Sequence, residues 1–256
     1  MMDDQAEDSI ALAALEPVPS GVALLFAEGQ RPTIEDVDRL ITELSAGQML
    51  SAGYRDEAIP GRLELVCRGL TFDLGGLAPA SAAPLPTVTQ NIGLGDDLPQ
   101  VEAVTLMAGR HLEDGAHLPP VLRTHLEVAL ALAALPGLQA MMWAPSGVMM
   151  SPAHCVQTIR AWLDGGPFPA PGLVALLREE DGTLLSHGLS FFAPYQLRVE
   201  AADECREAQE EIASALVRRL ADGDGHVPAW MTGRDGRVWN VSWSAGQRLV
   251  TARRSA

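Results

Sequence analysis

The chain contains no lysine: all 18 of its basic residues are arginine, set against 33 acids in 256 residues. An all-arginine, alanine-rich composition fits a GC-rich bacterial genome, and no mechanism follows from it. The shortage of positive charge does exclude something. The formal net charge is −15, and residues 1–128 hold 20 acids against 7 arginines. Nucleic-acid binding draws its affinity from Lys and Arg neutralising phosphates, so DNA, RNA and anionic membrane surfaces are poor partners for this chain. The pair Arg253-Arg254 is too small an exception.

Cysteine is also scarce. Cys67, Cys155 and Cys205 are odd in number and far apart, and each lies in an apolar periodic segment. That pattern gives no disulfide framework and predicts three buried, reduced thiols in a reducing compartment. Long apolar runs are missing too. The longest, residues 128–135, stops at Pro136, well short of the roughly 18 residues that span a bilayer. Met1 to Glu16 carries Asp3, Asp4, Glu7, Asp8 and Glu16 with no Arg, so no basic region precedes an apolar one as in a secretory signal. The expectation is a cytoplasmic protein. With 47% hydrophobic residues, the chain fills a core without metal or cofactor.

Residues 1–19 read as a mobile acidic leader, with one helical turn over residues 10–15. Residues 21–26 make a short apolar strand. Thr33, with Asp36 three positions on, approximates a capping box, and Ile34, Val37, Leu40, Ile41 and Leu44 keep one apolar face until Gly47. Residues 62–68 alternate as a half-buried strand that can pair with residues 70–74. Residues 78–99, rich in Ala, Pro, Gly and Ser, form the main break. Strand resumes over residues 101–107, followed by a polar loop to Pro120 and a central helix over residues 121–135.

Residues 138–143 and 147–150 make a hairpin. Ser151 and Pro152 then open a helix with Cys155, Val156, Ile159, Trp162 and Leu163 on one face. A Pro/Gly loop covers residues 165–172. Strands over residues 173–178 and 183–192 join through Asp181-Gly182, a hairpin signal. Residues 196–200 alternate, Asp203 caps a helix over residues 204–221, and residues 238–243 and 248–252 close as a hairpin. The class is α+β, with a largely antiparallel sheet, packed helices and two closely associated halves. The halves divide as residues 20–100 and 101–256, or run together as one continuous domain.

The order of helix, Trp143 hairpin, Pro152 helix, Pro/Gly loop and His187-Gly188-Leu189-x-x-Phe192 before an alternating strand resembles a bacterial family classed as domain of unknown function 4261. In that pattern an aromatic-Gly-Leu precedes Phe-Gly and then Glu-Leu-Glu. Here His187 replaces the aromatic, Ala193 the glycine and Gln196 the first glutamate, while Glu200 stands near the acidic end. Leu85-Pro86 also fits. The resemblance covers residues 21–221 and implies no activity.

No catalytic signature occurs. Ser146 and Ser186 lie outside any Gly-x-Ser-x-Gly elbow, Gly93-Leu94-Gly95 lacks the third glycine of a dinucleotide loop, and there is no P-loop. His111, Glu113, Asp114 and His117, with His125 beyond, form the densest set of metal-ligand types, but no cysteine pair accompanies them, and a solvated loop is the simpler reading. Asp96-Asp97 reads as a solvated turn. His154 adjoins Cys155, yet helical neighbours point about 100° apart and cannot readily act as base and nucleophile. Trp143, Trp162, Trp230, Trp239 and Trp243 mostly fall on apolar faces, Trp239 and Trp243 sharing one with Val241.

Two functions remain. The first is a non-catalytic, immunity- or adaptor-like module that binds a basic protein through an acidic surface including Glu35, Asp38 and Glu43 on the first helix. The second is an enzyme or small-ligand binder with a pocket near Trp143, His154, His187 and Tyr195.

Overall fold

A computed structural model describes residues 21–44, 50–55, 58–95, 100–200, 206–222, 227–244 and 246–255. The acidic leader, the Gly47 stop, Asp96-Asp97, the Asp203 cap and Cys205 lie outside these residues. The fold is α+β, with two mostly antiparallel sheets.

The first sheet has eight strands, in the order β2 (Leu50–Arg55), β3 (Arg62–Cys67), β4 (Leu70–Gly75), β6 (Val101–Ala108), β1 (Gly21–Ala27), β7 (Leu138–Trp143), β8 (Val148–Met150) and β5 (Gln90–Ile92). All pairs are antiparallel except β5 with β8. Strand β1 explains its own sequence. Val22, Leu24 and Phe26 enter the main core on one face, while Ala23 and Leu25 join Ala103, Ala140, Met142 and Met149 in a second cluster on the other. A strand covered on both faces needs an unbroken apolar run, which GVALLFA supplies.

Helices α2 (Pro119–Leu132) and α3 (Pro152–Leu163) pack on this sheet. Ala83 and Leu94, from the segment expected to be a break, pack against the second cluster. Low periodicity hid their role as a cover for the sheet. The expected division at residue 100 falls inside the first sheet, because β6 sits between β4 and β1.

Helix α1 (Ile34–Leu44) begins as expected. The Thr33 N–H donates to Asp36 Oδ2 at 2.9 Å, and the Asp36 N–H donates to Thr33 Oγ1 at 3.2 Å. Likewise Ser151 Oγ accepts from the His154 N–H at 3.3 Å and caps α3.

The second sheet runs β12 (Trp230–Thr232), β13 (Val238–Ser244), β14 (Leu249–Arg254), β11 (Gln196–Val199), β10 (Leu184–His187) and β9 (Ala175–Arg178). Only β11 and β14 are parallel. Helix α5 (Arg206–Ala221) lies on β10 and β11. Gln209, 2% exposed, fastens it: Nε2 reaches the Val199 and Glu200 carbonyls at 3.0 Å, and Oε1 accepts from Arg178 at 2.6 Å.

Several expected boundaries move. The strand expected over residues 183–192 ends at His187, because Gly188 turns left-handed (φ 83°) into a 3-10 turn at Leu189–Phe191. Residues 170–172, expected as loop, and Leu173, expected to open a strand, form the short helix α4 (Ala170–Leu173), and the strand begins at Ala175. Trp239 is fully buried, but Trp243 at the end of its strand is 54% exposed and Trp230 is 61% exposed, against the apolar placement expected.

Candidate functional site

The two sheets meet at a seam built from the Trp143 hairpin and the His187-Gly188-Leu189 motif. Trp143, 1% exposed, meets Phe191 edge to face at 5.2 Å and stacks on Phe192 at 6.0 Å. Phe192 contacts Phe168, which contacts Trp162 on α3. The turn between β7 and β8 is buried, with Ser146 at 0% exposure, and Gly188 lies directly over it. The Thr89 hydroxyl donates to the Ser146 carbonyl, and the Thr89 N–H to Gly147 O at 2.9 Å. These contacts are structural: they fix one sheet on the other.

The expected pocket residues stand on separate elements. Trp143 is part of the seam, and His154 lies in the first turn of α3. His187 ends β10 opposite Ala175, and Tyr195 meets Trp243 edge-on at 6.1 Å. Cys155, next to His154, is 5% exposed, and burial pushes its thiol up to about 12. It lines an apolar void of about 10 Å³ with Val22, Trp143 and Leu173, and that void has no histidine in its wall. Such a thiol is a small hydrophobe, not a nucleophile. Cys67 is buried as well, and burial also raises its thiol. A maleimide is therefore expected to leave Cys67 and Cys155 unlabelled in the folded state and to react on denaturation; fast labelling by mass spectrometry would contradict their placement.

The loop set does not gather around His125. His111, Glu113, Asp114 and His117 are exposed, while His125 is 1% exposed, with Nε2 on the Leu106 carbonyl at 3.0 Å. No group of three His, Cys, Asp or Glu residues able to hold a metal occurs among the described residues. Ser186 is engaged too, its Oγ accepting from the Leu197 N–H at 2.8 Å.

A surface groove of about 690 Å³ runs along α2 and gathers Arg68, Arg123 and Arg160. Two of these cations are occupied. Arg68 makes a two-pronged pair with Glu127 at 2.8 and 2.9 Å. Arg123 lies 4.4 Å over the Trp162 ring and donates to the Trp162 and Leu163 carbonyls, closing the end of α3.

The acidic candidates lie on the outer side of α1. Glu35 and Glu43 are exposed and make no ion pair among the described residues. The backbone N–H of Glu35 and the Thr33 hydroxyl hold its carboxyl below the usual carboxylate range. Asp38 is engaged by Arg55 of β2. That pair ties α1 to the free edge strand of the first sheet, where Tyr54 is 70% exposed, the most open of the large apolar side chains among the described residues. Sequence reasoning missed β2 and Tyr54 because Ser51-Ala52-Gly53 breaks any alternating pattern.

No family model, curated protein or solved structure matches the chain. Among the described residues no helix is long and apolar enough to cross a membrane.

Proposed function

We propose that this chain is a non-catalytic, cytoplasmic protein-binding module that takes a basic partner on the side formed by α1 and β2. One observation carries the reading: Tyr54 stands 70% exposed on an edge strand joined by the Arg55–Asp38 pair to a helix whose exposed Glu35 and Glu43 make no ion pair among the described residues. Exposed tyrosines supply large, rigid contact area at interfaces, and flanking charge of one sign selects the partner and speeds encounter. Neither the apolar void beside Cys155 nor the groove along α2 has His154, His187 or Tyr195 in its wall, which weighs against the enzyme reading.

The test begins with a partner captured from the native cell by the tagged protein. Tyr54→Ala is expected to weaken its binding at least tenfold, about 1.4 kcal/mol. The pair Glu35→Gln and Glu43→Gln is expected to slow association and flatten its salt dependence, because exposed charges act only within about a Debye length. Both variants should melt with the parent. Unchanged affinity in Tyr54→Ala together with unchanged salt dependence in the charge variant would remove this face as the docking side.

A further inference from the structure

The groove along α2 uses none of the residues assigned to the basic partner, and its charge is of the opposite sign. Its walls set three arginines, Arg68, Arg123 and Arg160, against two acids, Glu127 and Asp164, in a chain whose formal net charge is −15. Glu127 is taken up by Arg68, and Arg123 hydrogen-bonds through Nη1 while lying on Trp162. Arg160, exposed in the last turn of α3, makes no side-chain hydrogen bond or ion pair among the described residues. A guanidinium carries five N–H donors, so all three arginines have donors left to give. Between them lies an apolar strip of Leu130, Ala131 and Leu163.

Such a groove fits an acidic segment that also carries apolar side chains, and the chain itself supplies one. Residues 1–20 lie outside the described residues and lead directly into β1. They carry Asp3, Asp4, Glu7, Asp8 and Glu16, no arginine, and the apolar Ile10, Leu12 and Leu15. The point of attachment is close to the groove. Gly21 pairs with Met107 and Met107 with Asp73, so β1 begins at the end of the sheet where the β3–β4 turn carries Arg68. Two strand spacings, about 10 Å, separate Gly21 from Asp73. Helix α2, with 14 residues, extends about 21 Å. The chain from Asp3 to Gly21 spans up to about 60 Å, so reach does not limit the contact. A segment tied to its site also acts at an effective concentration in the millimolar range, so weak contacts suffice to hold it.

We propose that residues 3–16 of this chain dock in the groove along α2, with Ile10, Leu12 and Leu15 on the strip of Leu130, Ala131 and Leu163 and the acids on Arg160 and the open donors of Arg68 and Arg123. Filled in this way, the groove is closed to any other acidic ligand unless the segment is displaced.

The experiment places a nitroxide on Ser9→Cys in the full chain and reads by NMR the amide signal it removes. Cys205→Ser in the background leaves the buried Cys67 and Cys155 as the only other thiols. The amides of Leu130, Ala131, Arg160 and Leu163 are expected to lose most of their intensity. They should recover in Arg160→Glu, and also at about 1 M salt, where the Debye length falls to about 3 Å. Arg160 is exposed and unpaired among the described residues, so this variant should melt with the parent. The combined Asp3→Asn, Asp4→Asn, Glu7→Gln and Asp8→Asn variant reads the same contact from the other side and should recover equally. Signal loss spread evenly over the surface, or centred on the second sheet, would overturn the proposal, as would unchanged loss in both charge variants. A mixture of isotope-labelled chains without nitroxide and unlabelled chains with it should show no loss. Loss of the same size there would give the groove to the segment of a second copy and overturn docking within one chain.

Discussion

Replacing Gly188 by alanine is expected to cost about 3–5 kcal/mol, among the largest effects of any single substitution in this chain. Two penalties combine. Gly188 has φ +83°, which alone costs an L-residue about 1–2 kcal/mol. A Cβ built there would also stand 2.5 Å from the Ser146 Cβ, 2.8 Å from its Cα and 2.9 Å from the Pro145 carbonyl oxygen. Two of these atoms are backbone of a buried turn that Thr89 pins in place, so the clash is relieved only by prising the sheets apart. Gly236 is the matched control, with φ +75° and nothing within 4 Å of the position a Cβ would take. Thermal melts should show Gly188→Ala lower by roughly 10 °C and Gly236→Ala by only a few degrees. If the two fell equally, the tightness of the seam would have no energetic weight.

Acid is expected to destabilise the fold through His125. Burial lowers this imidazole from 6.5 to about 4, and the hydrogen bond to the Leu106 carbonyl offsets only part of that. Its ring neighbours, Phe72 at 5.2 Å and Trp143 at 6.2 Å, offer no charge to stabilise a cation. Because the native pKa is the lower one, the unfolded chain takes up the proton first. The contribution to stability is complete above pH 6.5 and is lost as pH falls toward 4, reaching about 3 kcal/mol by the linkage of proton binding to folding. Carboxylates such as Asp36 and Asp181, also held low by hydrogen bonds, add to the same slope. His125→Gln separates them, since it retains a donor for Leu106 but cannot charge. Urea unfolding at pH 7 and 4.5 should show the parent losing about 2–3 kcal/mol more than the variant. Parallel losses would place the acid sensitivity elsewhere.

What the sequence disclosed was set by range along the chain. The α1 cap, the β3–β4 hairpin and the β13–β14 hairpin were legible, because each is decided by residues within a few positions of one another. Strands β5 and β12, three residues each, carry too few positions for periodicity, and β5 exists because β8 is there to pair with it. The stop at Gly188 was hidden behind an apolar run that reads as strand, the deciding contact being Ser146, 42 positions earlier in the numbering of the chain. Trp243 fits the alternation of β13 but lies at the strand end, where it remains 54% exposed. Candidate sites fared similarly. Glu35 and Glu43 were readable as the polar side of a helix, whereas Tyr54 lies on β2, whose Ser51-Ala52-Gly53 shows no alternation.

The position of β1 governs the order in which this molecule can assemble. Its two neighbours, β6 and β7, begin at Val101 and Leu138, so its first strand is also among the last to be completed on both sides. The meander of β2, β3 and β4 has only near contacts and can form while the chain is still being made. Strand β1 meanwhile presents an apolar ribbon with no partner until β6 ends at Ala108, and with one bare edge until β7 ends at Trp143. Loop closure over such spans is slow, and uncovered strands of this kind invite pairing with other chains. On the ribosome the most vulnerable of the described strands of this protein is the earliest of them to be made.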